Sequence, residues 1–192
     1  TIAFGYKGDI YTVDAKGGTA KQLTTQSSFE GNPIWSPDGK QIAFASNRDG
    51  NFDIYVVSAE GGSAKKLTKK LTRNSASELP SAFTPDGKYV VFSANIQDPA
   101  QSAFFPSATM TELYKVPVAG GRTQQIIGTP AEAVCYMPDG KSFLYQDRKG
   151  GEDEWRKHHT SSITRDIWLY DGKSGKHTNL TNIGGEDRDP SL

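Results

Sequence analysis

Ser36-Pro37-Asp38-Gly39-Lys40 returns later in the chain as Thr84-Pro85-Asp86-Gly87-Lys88 and again as Met137-Pro138-Asp139-Gly140-Lys141. An aromatic residue precedes each copy, and a short apolar run that ends in an aromatic residue follows it. Self-similarity at a fixed period of roughly fifty residues is the sequence signature of a repeat architecture. The three phrases therefore predict a fold that is built from repeated units.

Each unit contains four short segments, A to D, that are rich in β-branched and aromatic residues and bounded by turn formers, as β-strands are. In the second unit these segments are Pro33 to Ser36, Gln41 to Ser46, Asp53 to Ser58 and Ala64 to Thr68. Pro-Asp-Gly suits the tight turn between A and B, and Gly-Gly suits the turn between C and D. Repeated four-stranded antiparallel units predict an all-β fold, a β-propeller of about four blades.

The repeat also predicts how the chain, residues 1–192, is divided as a single β-propeller segment. We expect strands B to D of blade 1 at about 1–25, blade 2 at about 32–69, blade 3 at about 79–128, blade 4 at about 132–182 and the start of a next blade at 189–192. Thr1 aligns with Gln41, and Leu192 aligns with Trp35. We therefore expect a segment of a larger propeller, with a four-bladed ring as the alternative.

The connections between strands B and C differ most in length. The steps from the B aromatic to the C aromatic are 7, 11, 22 and 23 residues, whereas the A–B and C–D turns barely vary. In an up-and-down blade the B–C and D–A connections emerge on one face. Because repeat proteins usually place insertions on the binding face, this face is the predicted site of function.

Composition excludes several functions. Lys plus Arg equals Asp plus Glu, 22 each, so no bulk charge favours nucleic acid. No apolar stretch approaches the roughly 18 residues of a membrane span. The single cysteine, Cys135, excludes an internal disulfide, and its alternating apolar surroundings predict a buried thiol.

The full repeat, aromatic-Ser-Pro-Asp-Gly-Lys followed by Ile-Ala-Phe, Asp-Ile-Tyr, Gly-Gly and Leu-Thr, resembles the TolB and tricorn type of propeller repeat over nearly the whole chain. The insertion at 151–162, which leads into Thr164-Arg165-Asp166-Ile167-Trp168, looks like the corresponding insertion of bacterial tricorn-like serine peptidases. In those proteins a propeller that filters or channels peptides precedes a second β domain, a PDZ domain and a catalytic domain. The resemblance implies a periplasmic or secreted protein.

No catalytic residue is expected in this chain, and the family's catalytic serine lies far downstream. The chain has no Gly-x-Ser-x-Gly and no His-Glu-x-x-His motif. His158 and His159 are adjacent, so an extended strand would point them to opposite faces, which is poor for one metal ion. We expect no metal and no cofactor, and whether the whole protein is an enzyme rests on the resemblance, which implies a serine peptidase.

Peptide contacts are predicted in the two longest B–C insertions, because Arg can grip a carboxylate and aromatic rings offer an apolar platform. The candidate residues are Trp155, Arg156, His158, His159, Arg165, Phe104 and Phe105. Two alternatives stay open. The charged insertion, with four acids and four bases from Asp147 to His159, pairs with itself at the surface, and the two phenylalanines fold back over the neighbouring blade.

Three other sets of residues favour structural roles. The lysines and arginine of a basic run on strand D protect an exposed sheet edge; they are Lys65, Lys66, Lys69, Lys70 and Arg73. The acids just before each strand C cap backbone N–H groups; they are Asp9, Asp53, Glu112 and Asp166. The aspartates of the repeated phrase form turns; they are Asp38, Asp86 and Asp139.

Together these observations predict a non-catalytic propeller segment of a tricorn-like serine peptidase. Its expected role is to gate or bind peptide substrates for a downstream catalytic domain. Its expected partners are a peptide or protein substrate and the remaining blades and downstream domains of the same polypeptide, with no nucleic acid and no membrane span. The alternatives are a TolB-like periplasmic protein-binding propeller without peptidase activity, and a standalone hydrolase. We also expect end blades with open edges to associate or fray when isolated.

Overall fold

Short strands joined by tight turns make up all the regular structure of the residues that the computed structural model describes, which are 1–61, 69–70, 72, 76–96, 110–149 and 163–192. These strands form four antiparallel sheets in which consecutive strands are neighbours. The all-β prediction is therefore confirmed. We number the sheets as blades 1 to 4, in chain order.

The first three blades hold eleven strands. Their bounds are β1 Ile2–Tyr6, β2 Asp9–Val13 and β3 Lys21–Gln22 in blade 1; β4 Glu30–Trp35, β5 Gln41–Ser46, β6 Asp53–Ser58 and β7 Lys69–Lys70 in blade 2; and β8 Glu78–Phe83, β9 Tyr89–Ala94, β10 Glu112–Pro117 and β11 Gln124–Ile127 in blade 3.

Blade 4 repeats the four-stranded order and completes the set. Its strands are β12 Ala131–Tyr136, β13 Phe143–Asp147, β14 Ile167–Tyr170 and β15 His177–Asn179. The first strands of neighbouring blades lie side by side, β1 against β4, β4 against β8 and β8 against β12. β4, β8 and β12 are the strands A and form the inner edges of their sheets, β1 is the strand B of blade 1, and strand D of each blade is its outer edge.

The repeated turns have the geometry that their residues predict. Ser36 Oγ donates to Asp38 Oδ1 at 2.7 Å, and the same oxygen accepts the N–H of Lys40 at 3.1 Å. The glycine of each turn lies in the left-handed region, with φ of 68° at Gly39, 69° at Gly87 and 67° at Gly140. Asp38 is thus a turn former, as predicted.

Each interface between blades buries an aromatic face against an aliphatic one. Phe44 and Tyr55 of blade 2 stack with ring centroids 6.0 Å apart and pack against Ile10 and Leu23 of blade 1. The same pattern recurs between blades 2 and 3, where Phe92 and Tyr114 stack, and between blades 3 and 4. Apolar burial between successive blades therefore supplies the core.

A recurring backbone hydrogen bond ties each inner strand to the preceding blade. The N–H of Glu30, the first residue of β4, donates to the carbonyl of Gly8, which lies just before β2. The equivalent bonds join Glu78 to Phe52, Ala131 to Thr111 and Asp187 to Arg165. The link has the same place in every repeat, so it fixes how one blade follows the next.

The predicted strand D of blade 2, Ala64 to Thr68, is wrong in register. The strand lies at Lys69–Lys70, where Lys70 pairs with Tyr55, and Thr72 Oγ1 accepts the N–H of Ile54. Thr24 does the same for Ile10 in blade 1. Because Lys-Lys-Leu-Thr occurs twice in succession, at 65–68 and 69–72, the sequence offers two registers, and strand D uses the second. The C–D connection of blade 2 is therefore longer than predicted.

Three of the four acids before strand C, Asp9, Glu112 and Asp166, bind side chains of strand D rather than the backbone that we expected. Asp9 Oδ2 accepts from Gln22 Nε2 at 3.0 Å, and Glu112 Oε2 accepts from Gln125 Nε2 at 3.0 Å. Asp166 Oδ2 likewise accepts from Asn179 at 3.1 Å. These bonds join strands C and D at one end of the blade. Cys135, predicted to be buried, is only partly buried.

Candidate functional site

A cavity of about 440 Å³ lies where the inner strands of blades 2, 3 and 4 approach one another. Most of its lining comes from the inner strands and from the segment after β15. The lining residues are Asn32, Leu79, Pro80, Ser81, Ser93, Glu132, Ala133, Val134, Gln146, Arg148, Arg165, Arg188, Asp189 and Pro190. We call this space the central cavity.

Left-handed backbone surrounds the central cavity. Asn32, Ala133 and Asp189 have φ of 53°, 48° and 51°, and each occupies the same position of the repeat. The pairing of β4 with β5 and of β12 with β13 shifts register at Asn32 and Ala133, as in a β-bulge. Bulges turn side chains in new directions and are frequent beside binding sites, where strained backbone also concentrates.

Blade 3 makes the same bend with a different residue. Pro80 occupies the position of Asn32, and proline cannot adopt positive φ. The register shift between β8 and β9 lies between Pro80 and Ala82 instead. Three inner strands thus bend at the wall of the central cavity, although the sequence of each differs there.

Glu132 lies at the centre of the charged groups in the cavity wall. Its Oε1 accepts from Arg148 Nη1 at 2.7 Å and from Thr111 Oγ1 at 2.8 Å. Its Oε2 accepts from Gln146 Nε2 at 3.2 Å and lies 3.8 Å from Arg165 Nε. Glu132 therefore joins the B–C connection of blade 4 to the inner strand β12.

Arg165 extends this network to the segment after β15. Arg165 Nη1 donates to Glu186 Oε1 at 2.5 Å, and Arg188 Nε donates to the same oxygen at 2.8 Å. Burial alone would raise the pKa of Glu186, but the hydrogen bonds from the two arginines outweigh it and hold the pKa below its usual range. Glu186 is therefore ionised at neutral pH.

A second cluster of charges joins the described residues that precede and follow 150–162. Lys149 Nζ lies 2.7 Å from Asp166 Oδ2, 3.3 Å from Asp147 Oδ2 and 2.9 Å from the carbonyl of Thr164. Burial would lower the pKa of Lys149, but the two carboxylates outweigh it and raise that pKa. Trp168 Nε1 also donates to Asp147. Charge pairing therefore holds residues 147–149 beside residues 164–166.

The structure places only one of the predicted peptide contacts. Arg165 lines the central cavity, with its side chain 10% exposed. The other six lie outside the described residues; they are Trp155, Arg156, His158, His159, Phe104 and Phe105. Sequence reasoning missed Glu132, Arg148 and Arg188, because their contacts join strands and connections far apart in the chain. One signal could have found Arg148. It lies in the B–C connection of blade 4, on the face where the variable lengths of these connections predicted a binding site.

The wall of the central cavity carries side chains that can bind a ligand. The lining of the central cavity includes cationic, anionic and amide side chains, and Leu79 and Pro80 add apolar surface. Within the described ranges, no group of three or more His, Cys, Asp or Glu residues is placed to hold a metal ion. No helix in that part of the chain is long and apolar enough to span a membrane. The arrangement is suited to holding a polar chain by hydrogen bonds and charge.

Known structures share this fold. The crystal structure of the tricorn protease superimposes with a TM-score of 0.74 at 21% identity, over 96% of this chain and 18% of that chain. TolB from Acinetobacter baumannii superimposes with a TM-score of 0.70 at 21% identity, over 96% of this chain and 42% of that chain. These likenesses confirm the β-propeller fold.

Sequence comparison finds peptidases among the relatives. Dipeptidyl-peptidase 5 of Porphyromonas gingivalis is 31% identical over 209 residues, which cover 90% of this chain and 29% of the relative. The enzyme of the same name from Porphyromonas endodontalis is 23% identical over 223 residues, 97% of this chain and 31% of the relative. The chain thus spans about a third of the length of these curated relatives.

The comparison with protein families covers every residue. The model of the tricorn protease N-terminal β-propeller domain matches residues 1–192, which include all four blades and the segment after them. The resemblance seen in the repeated turn phrases is therefore confirmed at the level of the family. The chain belongs to the tricorn protease N-terminal β-propeller domain family.

Proposed function

We propose that this propeller segment binds peptides at the central cavity and gates their access to a serine peptidase domain that lies outside these 192 residues. The observation that carries the proposal is the bend of the inner strands β4, β8 and β12 at one cavity wall, together with left-handed backbone at Asn32, at Ala133 and, in the segment after β15, at Asp189. Such strain persists where the surrounding structure maintains it, and it concentrates at binding sites.

The position of the charged groups supports the same proposal. Arg148 and Arg165 belong to the B–C connection of blade 4, and Arg188 follows β15. All three therefore lie on the face where the B–C and D–A connections emerge. The candidate peptide contacts Phe104, Phe105, Trp155, Arg156, His158 and His159 lie outside the described residues, and by sequence they belong to the B–C connections of blades 3 and 4. We keep these residues as proposed contacts.

A photo-crosslinking experiment tests where a peptide binds. The full chain would carry p-benzoylphenylalanine at Leu79, which lines the central cavity and is 44% exposed. The matched control carries the same group at Lys40, which is exposed in an A–B turn on the opposite face. Irradiation with biotinylated hexapeptides is expected to label the position-79 protein and not the control. Equal labelling, or none at position 79, would contradict the proposal.

The gating role has a separate test. We expect the 192-residue chain to bind hexapeptides without cleaving them, and a longer protein that contains a peptidase domain to cleave them. Blocking the cavity by the crosslinked peptide in that longer protein should slow the cleavage of added peptides. Cleavage by the 192 residues alone would support the standalone hydrolase instead. We place the protein in the periplasm or outside the cell, as the resemblance to the family implies.

An aromatic pair with one exposed ring favours a second candidate, a TolB-like protein-binding propeller without peptidase activity. Phe29 is 57% exposed and packs edge-on against Phe52, with ring centroids 6.1 Å apart. Phe29 lies in a D–A connection and Phe52 in a B–C connection, so both are on the insertion-bearing face. Phe52 is partly buried and supports the exposed ring of Phe29, and exposed apolar surface of this kind can serve as a protein contact. Loss of partner capture in Phe29→Ser, with peptide crosslinking unchanged, would favour this candidate.

A further inference from the structure

A threonine anchors strand D to strand C in blades 1, 2 and 4. Thr24 Oγ1 accepts the N–H of Ile10 at 2.9 Å. Thr72 Oγ1 accepts the N–H of Ile54 at 2.9 Å, and Thr181 makes the equivalent bond in blade 4. Ile10 and Ile54 are fully buried, as Thr24 and Thr72 are almost completely. Because a buried N–H without an acceptor is costly, this hydroxyl decides where strand D lies on strand C.

Blade 2 carries this anchor twice in its sequence, since Lys-Lys-Leu-Thr occurs at 65–68 and again at 69–72. In the structure the second copy pairs with β6. The first copy lies outside the described residues and is compared by its sequence alone. A slip by four residues would bring the same residue types to the same partners and Thr68 to the N–H of Ile54. Four is an even number, so every side chain would keep its face of the sheet.

The spacing on the C–D side of the strand favours the first copy. In blade 1 the anchoring Thr24 follows Gly18, the second glycine of the C–D turn, by six residues, and blades 3 and 4 keep the same spacing. Thr68 follows Gly62 by six residues as well, whereas Thr72 follows Gly62 by ten. The second copy therefore places four extra residues in the C–D turn.

The spacing on the D–A side favours the second copy. Thr24 precedes Glu30 by six residues, and Thr72 precedes Glu78 by the same six. Glu30 and Glu78 occupy one position of the repeat, because their N–H groups make the equivalent bonds to the preceding blade. Thr68 precedes Glu78 by ten residues, so the first copy would place the four extra residues in the D–A connection. Each copy thus matches the other blades on one side only.

We propose that strand D of blade 2 exchanges between two registers that lie four residues apart, with Thr72 or Thr68 as the anchor. β7 is the outer strand of its sheet and is joined to β6 by two residue pairs, so a slip breaks few ladder bonds. The exchange moves four residues from the C–D turn to the D–A connection on the insertion-bearing face. This connection leads directly to Leu79 in the wall of the central cavity. The exchange does not depend on the proposed peptide binding.

A set of Thr→Val variants tests the exchange, because valine keeps the shape of threonine and removes the acceptor. Thr72→Val and Thr68→Val should each lower the ratio of folded to unfolded chain only about twofold, since the other register remains. The double variant should lower it about tenfold, the effect of one lost buried hydrogen bond. The matched control is Thr24→Val, whose anchor has no second copy and which should cause about a tenfold loss alone. Urea unfolding measures all four.

A single register gives a different result. It predicts about a tenfold loss in Thr72→Val, no change in Thr68→Val, and a double variant that is no less stable than Thr72→Val. Any of these three findings overturns the proposal. The tenfold loss expected in Thr24→Val shows that the method detects one missing anchor.

Disulfide trapping gives an independent test in a chain with Cys135→Ser. Val56→Cys with Lys69→Cys reports the observed register, because these residues are directly opposite each other. Val56→Cys with Lys65→Cys reports the other register. Val56→Cys with Leu67→Cys is the matched control, since position 67 is two residues from opposition in both registers. Both reporting pairs should oxidise faster than the control, and a Val56–Lys65 pair that does not would overturn the exchange.

Discussion

At the scale of single residues, the aspartate of each Pro-Asp-Gly turn holds that turn through its own side chain. Asp139 accepts from Ser142 Oγ at 2.7 Å and from the N–H groups of Lys141 and Ser142 at 2.9 and 2.8 Å. These donors bind the carboxylate more strongly than the neutral acid. The turn was predictable because all of its partners lie within five residues of one another.

The ionisation of Asp139 should therefore contribute to stability in acid. The hydrogen bond from Ser142, with those from the two backbone N–H groups, lowers the pKa of Asp139 to about 2. An unfolded aspartate titrates near pH ~4. The contribution is thus complete above pH ~4 and is lost as the pH falls towards 2. We expect Asp139→Asn to lower Tm at pH 7 and to show a smaller fall in Tm between pH 5 and pH 2.5. An unchanged pH dependence would contradict this assignment.

Ala133 is the second residue with an individual energetic role. Its φ of 48° strains a side chain that has a Cβ, whereas Asn and Asp, found at the two equivalent positions 32 and 189, tolerate this region better. We expect Ala133→Gly to raise the free energy of unfolding by about 1 kcal/mol, because glycine removes the strain. The control is Ala131→Gly in the same strand, at a residue outside the left-handed region. This control should lower the free energy of unfolding. Urea unfolding measures both, and a loss of stability in Ala133→Gly would refute the strain.

At the scale of strands and blades, side-chain packing between neighbouring repeats decides how deeply a residue is buried. Phe4, Phe44 and Phe92 occupy one position of the repeat and stack on the aromatic residue of strand C. Phe44 and Phe92 are fully buried by the preceding blade, whereas Phe4 of blade 1 is only partly buried. One residue type in one position thus has two environments.

These two environments predict different costs of truncation. Phe92→Ala should lower the free energy of unfolding by roughly 3–5 kcal/mol, because it leaves a cavity between blades 2 and 3. Phe4→Ala should lower the free energy of unfolding by roughly 1 kcal/mol, because the partly exposed ring of Phe4 buries less apolar surface on folding. Urea unfolding of the two variants measures the difference. Equal losses would mean that blade 1 is covered in solution.

Strand register shows where local sequence is insufficient. The pattern of apolar residues placed strands A, B and C, since each has one alternation and one flanking turn. Strand D of blade 2 has Lys-Lys-Leu-Thr twice, and only the tertiary contact of Thr72 with Ile54 selects the second copy. The two copies have equal β-strand propensity, so packing decides which copy forms strand D.

At the scale of the whole molecule, the charged site was not predictable from the sequence. Glu132, Arg165 and Arg188 lie on different elements, and their meeting depends on how blade 4 and the segment after it close over β12. Of the cavity residues, only Arg165 was a candidate from its place in the B–C insertion. The repeat pattern predicts the strands and the face on which the site lies, whereas the individual ion pairs follow only from three-dimensional packing.

The two end faces of the molecule are the unpacked halves of the interface between blades. Ile2 is 52% exposed, although its equivalent Ile42 is fully buried, and Leu180 is 51% exposed, although its equivalent Leu23 is 5% exposed. The aromatic end and the aliphatic end are complementary, as inside the molecule. Exposed faces of this kind drive association.

We therefore expect the isolated chain to self-associate as its concentration rises. The double variant Ile2→Ser with Leu180→Ser should reduce this association, because both substitutions place a hydroxyl in the contact. Leu79→Ser, in the central cavity, is the matched control and should associate like the original chain. Sedimentation velocity over a range of concentrations measures the difference. A chain that stays monomeric throughout would contradict the expectation.

The bond from the start of each inner strand to the carbonyl just before strand C has a consequence for evolution and engineering. It fixes the point at which every B–C connection returns to its blade, whatever the number of residues before that point. Insertions of different length can therefore be exchanged at this place without altering how one blade packs on the next. Each B–C connection thus has a fixed anchor point, so one recognition loop can be replaced by another while the scaffold stays the same.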